Sequence, residues 1–99
     1  MPCYFLIDTY IPENGDLVEY DLYIDKVRPI VESYGGRYLV RTENVQSLSA
    51  KRAPQRVIVI RFPSREQLDA CFASSEYRAI MEKRENSVDA RAVIADGEL

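Results

Sequence analysis

The sequence contains no histidine. Histidine is the commonest general base near neutral pH, a usual ligand of zinc and haem iron, and the base in Ser-His and Cys-His catalytic sets. Its absence excludes these kinds of site and leaves carboxylates or tyrosines as candidate general bases. The acidic residues show no calcium-loop spacing. We therefore expect no metal site and no cofactor.

Cysteine is scarce, since only Cys3 and Cys71 are present and they form no CxxC motif. In a reducing cytoplasm we expect both to be free, buried thiols. A Cys3–Cys71 disulfide is the alternative, and this compartment disfavours it.

Long apolar runs and an excess of positive charge are also missing. No run approaches the roughly 20 residues that a membrane helix needs, and no basic segment followed by an apolar core opens the chain. The formal net charge of -3 and the pI of about 4.9 argue against nucleic acid, because phosphate contacts need a basic face. With 99 residues, the sequence predicts a single cytoplasmic domain over 1–99 that binds neither membrane nor nucleic acid.

Branched and aromatic residues predict four strands, at 3–9, 36–42, 56–62 and 90–95. The polar segment 43–55 is predicted to be a long exposed loop. In strand 56–62 four branched residues run consecutively, which is typical of a strand that is covered on both faces.

Two helical segments separate these strands. Apolar spacing predicts a first helix that is capped by Asp16 and Glu19 and ends at Gly35 in a left-handed conformation. Because Pro29 lacks an N–H group, we expect a kink or a restart of this helix near Arg28. The second helical segment begins with a Ser64 cap, is interrupted at 74–75 and resumes through Tyr77.

The predicted order β-α-β-β-α-β is the ferredoxin-like α+β arrangement, a four-stranded antiparallel sheet with two helices on one face. The other face of such a sheet carries no helix. Since strand 56–62 is apolar on both sides, a bare second face would expose apolar surface to water. We therefore expect a homodimer that packs sheet to sheet through the helix-free face.

Three motifs carry a family resemblance: YGGRYLVR at 34–41, PQRVIVI at 54–60 running into FPS at 62–64, and SEYRAI at 75–80 followed by Arg84. At this spacing the chain resembles the domain of unknown function 1330 family over nearly its whole length. The resemblance implies a dimeric α+β barrel, while the family's biochemical role is not established. Arg61, Cys71, Ser75 and the Thr42-Glu43 pair depart from the family pattern, and these departures could alter a pocket.

The candidate site residues begin with two arginines. In a regular strand Arg37 and Arg41 point the same way, about 13 Å apart along the strand. Each could bind an anion separately. The alternative is that each forms an ion pair with an acidic residue of the same chain or of the partner.

Tyr34, Tyr38 and Tyr77 are the aromatic candidates, and Arg84 is their candidate basic partner. A phenol beside a guanidinium could orient a substrate oxygen or stabilise a developing negative charge. The alternative is that the three tyrosines are core residues with satisfied hydroxyls.

Glu32, Glu76 and Cys71 are the other candidates for reactive groups. Glu76 more plausibly stabilises a helix N-terminus, and no base that could activate Cys71 is identifiable. The sequence thus predicts an uncharacterised dimer that binds a small anionic or aromatic ligand between helices and sheet. The alternatives are a cofactor-independent enzyme of oxygenase or isomerase type, by fold analogy, and a purely structural or regulatory dimer.

Overall fold

One four-stranded antiparallel sheet is the frame of the protein, seen in a computed structural model that describes residues 1–12, 17–81 and 88–97. The elements in chain order are β1 (Cys3–Tyr10), α1 (Leu17–Ser33), β2 (Arg37–Thr42), β3 (Arg56–Phe62), α2 (Arg65–Ala73), α3 (Ser75–Arg78) and β4 (Asp89–Asp96). The strands lie side by side in the order β2-β3-β1-β4. This topology confirms the predicted ferredoxin-like α+β fold.

The core lies between the helices and one face of the sheet. Strand β1 alternates strictly, with every second residue buried, and the buried residues of β3 lie directly opposite them. Phe62, at the end of β3, is completely buried. Full burial of a side chain of this size contributes about 1.5–3 kcal/mol to stability. The buried apolar side chains of the sheet and of α1 and α2 are Cys3, Phe5, Ile7, Tyr20, Tyr23, Ile24, Val27, Val31, Ile58, Ile60, Phe62, Leu68 and Cys71.

Helix α1 ends at two consecutive glycines, as predicted. Gly35 is left-handed, with φ at 84°, and its N–H donates to the carbonyl of Glu32 at 3.0 Å. The Gly36 N–H donates to the carbonyl of Val31 at 2.9 Å, which completes a Schellman motif. A Cβ at Gly36 would lie 2.4 Å from Val31 Cγ1 and 2.9 Å from the Phe62 ring. The second glycine is therefore required by close packing.

Helix α1 continues through Pro29 as one element, so the expectation of a restart near Arg28 was wrong, and the alternative expectation of a kink stays a prediction. Pro29 leaves the carbonyl of Asp25 without its intrahelical donor. Val27 and Val31 nevertheless stay buried on either side of the proline, and this packing outweighs the lost hydrogen bond. The predicted cap at Asp16 lies outside the described residues.

Two serines begin the helices of the second half. The Ser64 hydroxyl accepts from the Gln67 N–H at 3.2 Å at the start of α2. The Ser74 hydroxyl accepts from the Tyr77 N–H at 3.1 Å at the start of α3, and it donates to the Cys71 carbonyl at 2.6 Å. The interruption predicted at 74–75 is thus an N-cap that starts a new helix.

Strand β2 contains a bulge, which corrects the predicted faces of this strand. Tyr38 pairs with Ile60, whereas Val40 pairs with Val59, so Leu39 is an extra residue between them. Beyond the bulge every side chain is on the opposite face from that predicted by simple alternation. The two pairs Tyr38 and Val40, and Arg37 and Arg41, are therefore each divided between the two faces of the sheet.

The open face of the sheet is the side opposite the helices. A row of apolar residues crosses it, one from each strand. In sheet order these residues are Val40, Val59, Leu6 and Val93. Val40 is 41% exposed and Val93 is 63% exposed, while Leu6 and Val59 are half-buried. In a single chain, only the helix side of β3 is fully covered, although both of its sides are apolar.

The loop at 43–55 is largely exposed, as predicted. It is attached to the open face through Arg52, whose guanidinium donates to both carboxylate oxygens of Asp8 at 2.6 and 3.0 Å. Throughout the described ranges, no helix is both long enough and apolar enough to cross a membrane.

Candidate functional site

An open cleft of about 500 Å³ lies between the α2–α3 segment and strand β4. Its walls come from the helices on one side and from the helix-facing side of β1 and β4 on the other. The lining residues are Phe5, Leu68, Asp69, Phe72, Ala73, Tyr77, Arg78, Ala90, Ala92 and Ile94. Aromatic and aliphatic walls with a few polar groups are typical of small-molecule sites.

Tyr77 is the predicted site residue that lines this cleft. The Ser74 cap at the start of α3 fixes its backbone, and its side chain is almost fully buried. The ring of Tyr77 meets the Phe72 ring edge-on, with centroids 4.8 Å apart. The hydroxyls of Tyr77 and Tyr23 form a buried hydrogen bond of 3.2 Å. This contact joins the wall of the cleft to helix α1.

Tyr34 lies near the start of α3. Its hydroxyl donates to the Glu76 carboxylate at 3.3 Å, and the Ser75 hydroxyl donates to the same carboxylate at 3.2 Å. Tyr34 is half-buried and packs against the edge of the core. In this position it ties the end of α1 to α3.

Tyr38 faces the helices and lines a small internal void of about 20 Å³. Burial is the main cause that raises its pKa from 10.0 to about 12. The Arg28 guanidinium lies 5.8 Å from the centre of the Tyr38 ring. Phe5 and Phe72, whose ring centroids are 4.6 Å apart, line both this void and the open cleft.

The predicted arginines lie apart. Arg37 is exposed on the open face, directly opposite Arg61. Arg41 is on the helix side, at a separate cavity that also includes Arg56. The expectation that Arg37 and Arg41 point the same way was wrong because of the bulge at Leu39. Arg84 lies outside the described residues.

Four residues at these sites were not predicted from the sequence as site residues: Tyr23, Phe72, Arg78 and Arg56. Tyr23 was placed on the buried face of α1, and pairing of its hydroxyl with Tyr77 depends on a contact between helices that are distant in sequence. For Arg56 the sequence offers one signal, because this charged residue directly precedes a run of four branched apolar residues. Such a residue must find a partner when it is partly buried.

Cys71 is fully buried and its thiol is free, as is that of Cys3. Burial is the main cause that raises the pKa of Cys71 to about 11, and the Glu76 charge adds to it. A thiol with such a pKa is a poor nucleophile at neutral pH. Within 1–12, 17–81 and 88–97, no group of three or more cysteine, aspartate or glutamate side chains is arranged to hold a metal ion.

The sequence matches one family model over residues 4–98, that of the domain of unknown function (DUF1330). The chain belongs to the DUF1330 family. No curated protein matches the chain significantly.

Solved structures share the fold of this DUF1330 protein at low sequence identity. RPA0582 from Rhodopseudomonas palustris, a protein of unknown function, is 17% identical with a TM-score of 0.83, over 99% of this chain and 83% of that one. A dimeric ferredoxin-like protein of unknown function from Thermobifida fusca is 13% identical with a TM-score of 0.68, over 96% and 90% of the two chains. SnoaB, a cofactor-independent oxygenase from Streptomyces nogalater, is 7% identical with a TM-score of 0.70, over 99% and 94%. At these identities the likeness concerns the fold alone.

Proposed function

We propose that this DUF1330 protein is a cytoplasmic homodimer that binds a small aromatic or anionic organic molecule in the cleft between α2–α3 and β4. The cleft itself carries the proposal, because its volume of about 500 Å³ lies within the roughly 300–1,000 Å³ of typical ligand sites. It opens on the helix side of the sheet, so a partner on the open face leaves it accessible.

The lining of the cleft supports this class of ligand. Phe72 and Tyr77 offer aromatic surfaces against which a planar ring can pack, in an offset or edge-on arrangement. Arg78 is the basic residue of the lining and can pair with an acidic substituent of that ring. Asp69 is paired with Arg65 at 3.0 Å, so its negative charge is partly compensated.

A cofactor-independent enzyme of oxygenase or isomerase type is the alternative. The fold shared with SnoaB and the buried Tyr23–Tyr77 hydroxyl pair favour it. A phenol that is already held by a second phenol could donate a hydrogen bond to an oxyanion as it forms.

Ligand binding can be tested by thermal shift with a panel of aromatic, lactone and acidic metabolites. A ligand at 100 times its Kd should stabilise the protein by about 2.7 kcal/mol. Arg78→Gln and Phe72→Leu should each weaken a hit about tenfold or more. Arg28→Gln, outside the cleft, is the matched control for the loss of an arginine.

The outcomes separate the candidate functions. Saturable stabilisation without turnover supports a binding protein, whereas turnover of a hit supports the enzyme. No stabilisation across the panel favours a purely structural or regulatory dimer. A hit that Arg78→Gln and Phe72→Leu leave unchanged would remove the cleft from consideration.

The dimer part of the proposal rests on the apolar row of the open face and on the dimeric state of the similar protein from Thermobifida fusca. Val93→Glu would place a charge in this row, and burying a charge without a partner is costly. We expect sedimentation to show a dimer for the wild type and a monomer for this variant. Val18→Glu on α1 is the control, because Val18 is exposed to a similar extent, 64% against 63%. A wild-type monomer at micromolar concentration would refute the dimer.

A further inference from the structure

A second cavity, of about 300 Å³, lies where β2 ends and β3 begins. It is lined by Arg41, Thr42, Glu43 and Arg56. Arg41 pairs with Ile58, and Arg56 precedes Ile58 by two residues in β3, so both arginines are on the helix side of the sheet. Diagonal neighbours of this kind lie about 7–8 Å apart. Two guanidinium groups therefore border one small space.

Arg56 is held firmly in this cavity. Its side chain is only 15% exposed, and the guanidinium lies 5.4 Å from the centre of the Tyr20 ring. Nη2 donates to the Glu43 carboxylate. Nη1 is buried, and the described residues provide it with no hydrogen-bond partner. Arg56 is thus a preorganised donor whose hydrogen-bonding capacity is only partly used.

Glu43 is the first residue of the exposed loop at 43–55, and it lines the cavity. Its side chain is 63% exposed, and its carboxylate accepts from Arg56. That hydrogen bond, followed by the charges of Arg56 and Arg41, lowers the pKa of Glu43. A carboxylate is therefore the group that Arg56 already binds within the chain, and Arg41 adds a second positive charge beside it.

We propose that Arg41 and Arg56 form a binding site for small carboxylic acids, in which Glu43 acts as a displaceable intramolecular competitor. The planar guanidinium matches a carboxylate through two parallel hydrogen bonds, which gives preference over a point-like anion. Because Glu43 is exposed and belongs to a loop, it can leave without disturbing the sheet. The site is separate from the cleft at α2–α3 and does not depend on the function proposed there.

The test uses glutarate, a dicarboxylate with an end similar to a glutamate side chain, in calorimetric titrations of the full chain. An intramolecular carboxylate competes at a millimolar or higher effective concentration, so Glu43→Gln should bind glutarate at least about tenfold more tightly than the wild type. Glu32→Gln is the matched control, because it breaks an exposed pair with Arg28 and makes the same change in net charge. It should leave glutarate affinity at the wild-type level.

The position of binding is tested by adding Arg41→Gln to Glu43→Gln, which should abolish the gain. In nitrogen-15 spectra, glutarate should shift the Arg56 Nε–H signal, identified by its loss in Arg56→Lys. Equal affinity of wild type and Glu43→Gln, a gain that survives Arg41→Gln, or an unmoved Arg56 signal would each overturn the proposal. Chloride, a point-like anion, that binds as tightly as glutarate would overturn the preference for carboxylates.

Discussion

The hydroxyl groups of Tyr23 and Tyr77 lie 3.2 Å apart in the core, between helices α1 and α3. Their rings are also in edge-on contact, with centroids 6.3 Å apart. The two residues are 54 positions apart in the chain, so the contact joins two helices that are distant in sequence. It stabilises the wall of the cleft from inside the protein.

Removal of one hydroxyl from this pair should destabilise the fold measurably. We expect Tyr77→Phe to lower the free energy of unfolding by about 1 kcal/mol, because the phenol of Tyr23 loses a buried partner. In urea unfolding, the double variant Tyr23→Phe/Tyr77→Phe should cost less than the sum of the single changes. Strictly additive costs would show that the two hydroxyls do not interact.

Gly36→Ala should destabilise the protein through steric overlap. The new methyl group would lie 2.4 Å from Val31 Cγ1, and the cost should be about 1–3 kcal/mol in urea unfolding. Gly97→Ala is a useful comparison, because Gly97 has a positive φ of 114° but open space around its Cβ position. Its cost should come from backbone strain alone and be about 1 kcal/mol. A harmless Gly36→Ala would contradict the close approach at the end of α1.

Ser74→Ala should weaken the start of α3. The change removes the acceptor of the Tyr77 N–H and the donor to the Cys71 carbonyl, both in a buried position. We expect a loss of about 0.5–2 kcal/mol in thermal or urea unfolding. Ser64→Ala removes the more exposed cap of α2 and should cost less. The reverse order of the two losses would contradict this account.

The stability of the protein should fall at alkaline pH. Burial raises the pKa of Cys71 from 9.0 to about 11, so the folded state holds the thiol proton more tightly than the unfolded chain does. The resulting stabilisation is complete below pH 9.0 and decreases as the pH rises through about 11. Urea midpoints between pH 8 and pH 11 measure it, and Cys71→Ala should show a shallower decrease. An unchanged slope in this variant would exclude the thiol as the cause.

Most of the fold could be predicted from local patterns. The bounds of β3 and the paired glycines after α1 each reflect rules that act over a few residues, and the structure places them as predicted. At Pro29 the local pattern was misleading, because the tertiary packing of α1 overrides the preference of proline for a break in the helix.

The candidate site was less accessible to sequence reasoning. The bulge at Leu39 has no local signal, such as a glycine, yet it decides that Arg37 and Arg41 are on different sides of the sheet. The Arg56–Glu43 and Tyr23–Tyr77 contacts depend on how separate elements meet in three dimensions. Among the described residues that line the cleft, Tyr77 is the one that the sequence predicted as a site residue.

The outer strands of the sheet also bear on aggregation. β2 and β4 are the two edges, and an edge strand with free backbone groups can recruit another chain and extend into a polymer. The bulge interrupts the regular hydrogen-bonding pattern of β2, while Asp89, Arg91 and Asp96 bring charges to β4. Both devices discourage lateral growth of the sheet. Edge-to-edge stacking of copies of this chain is therefore disfavoured at both sides of the sheet.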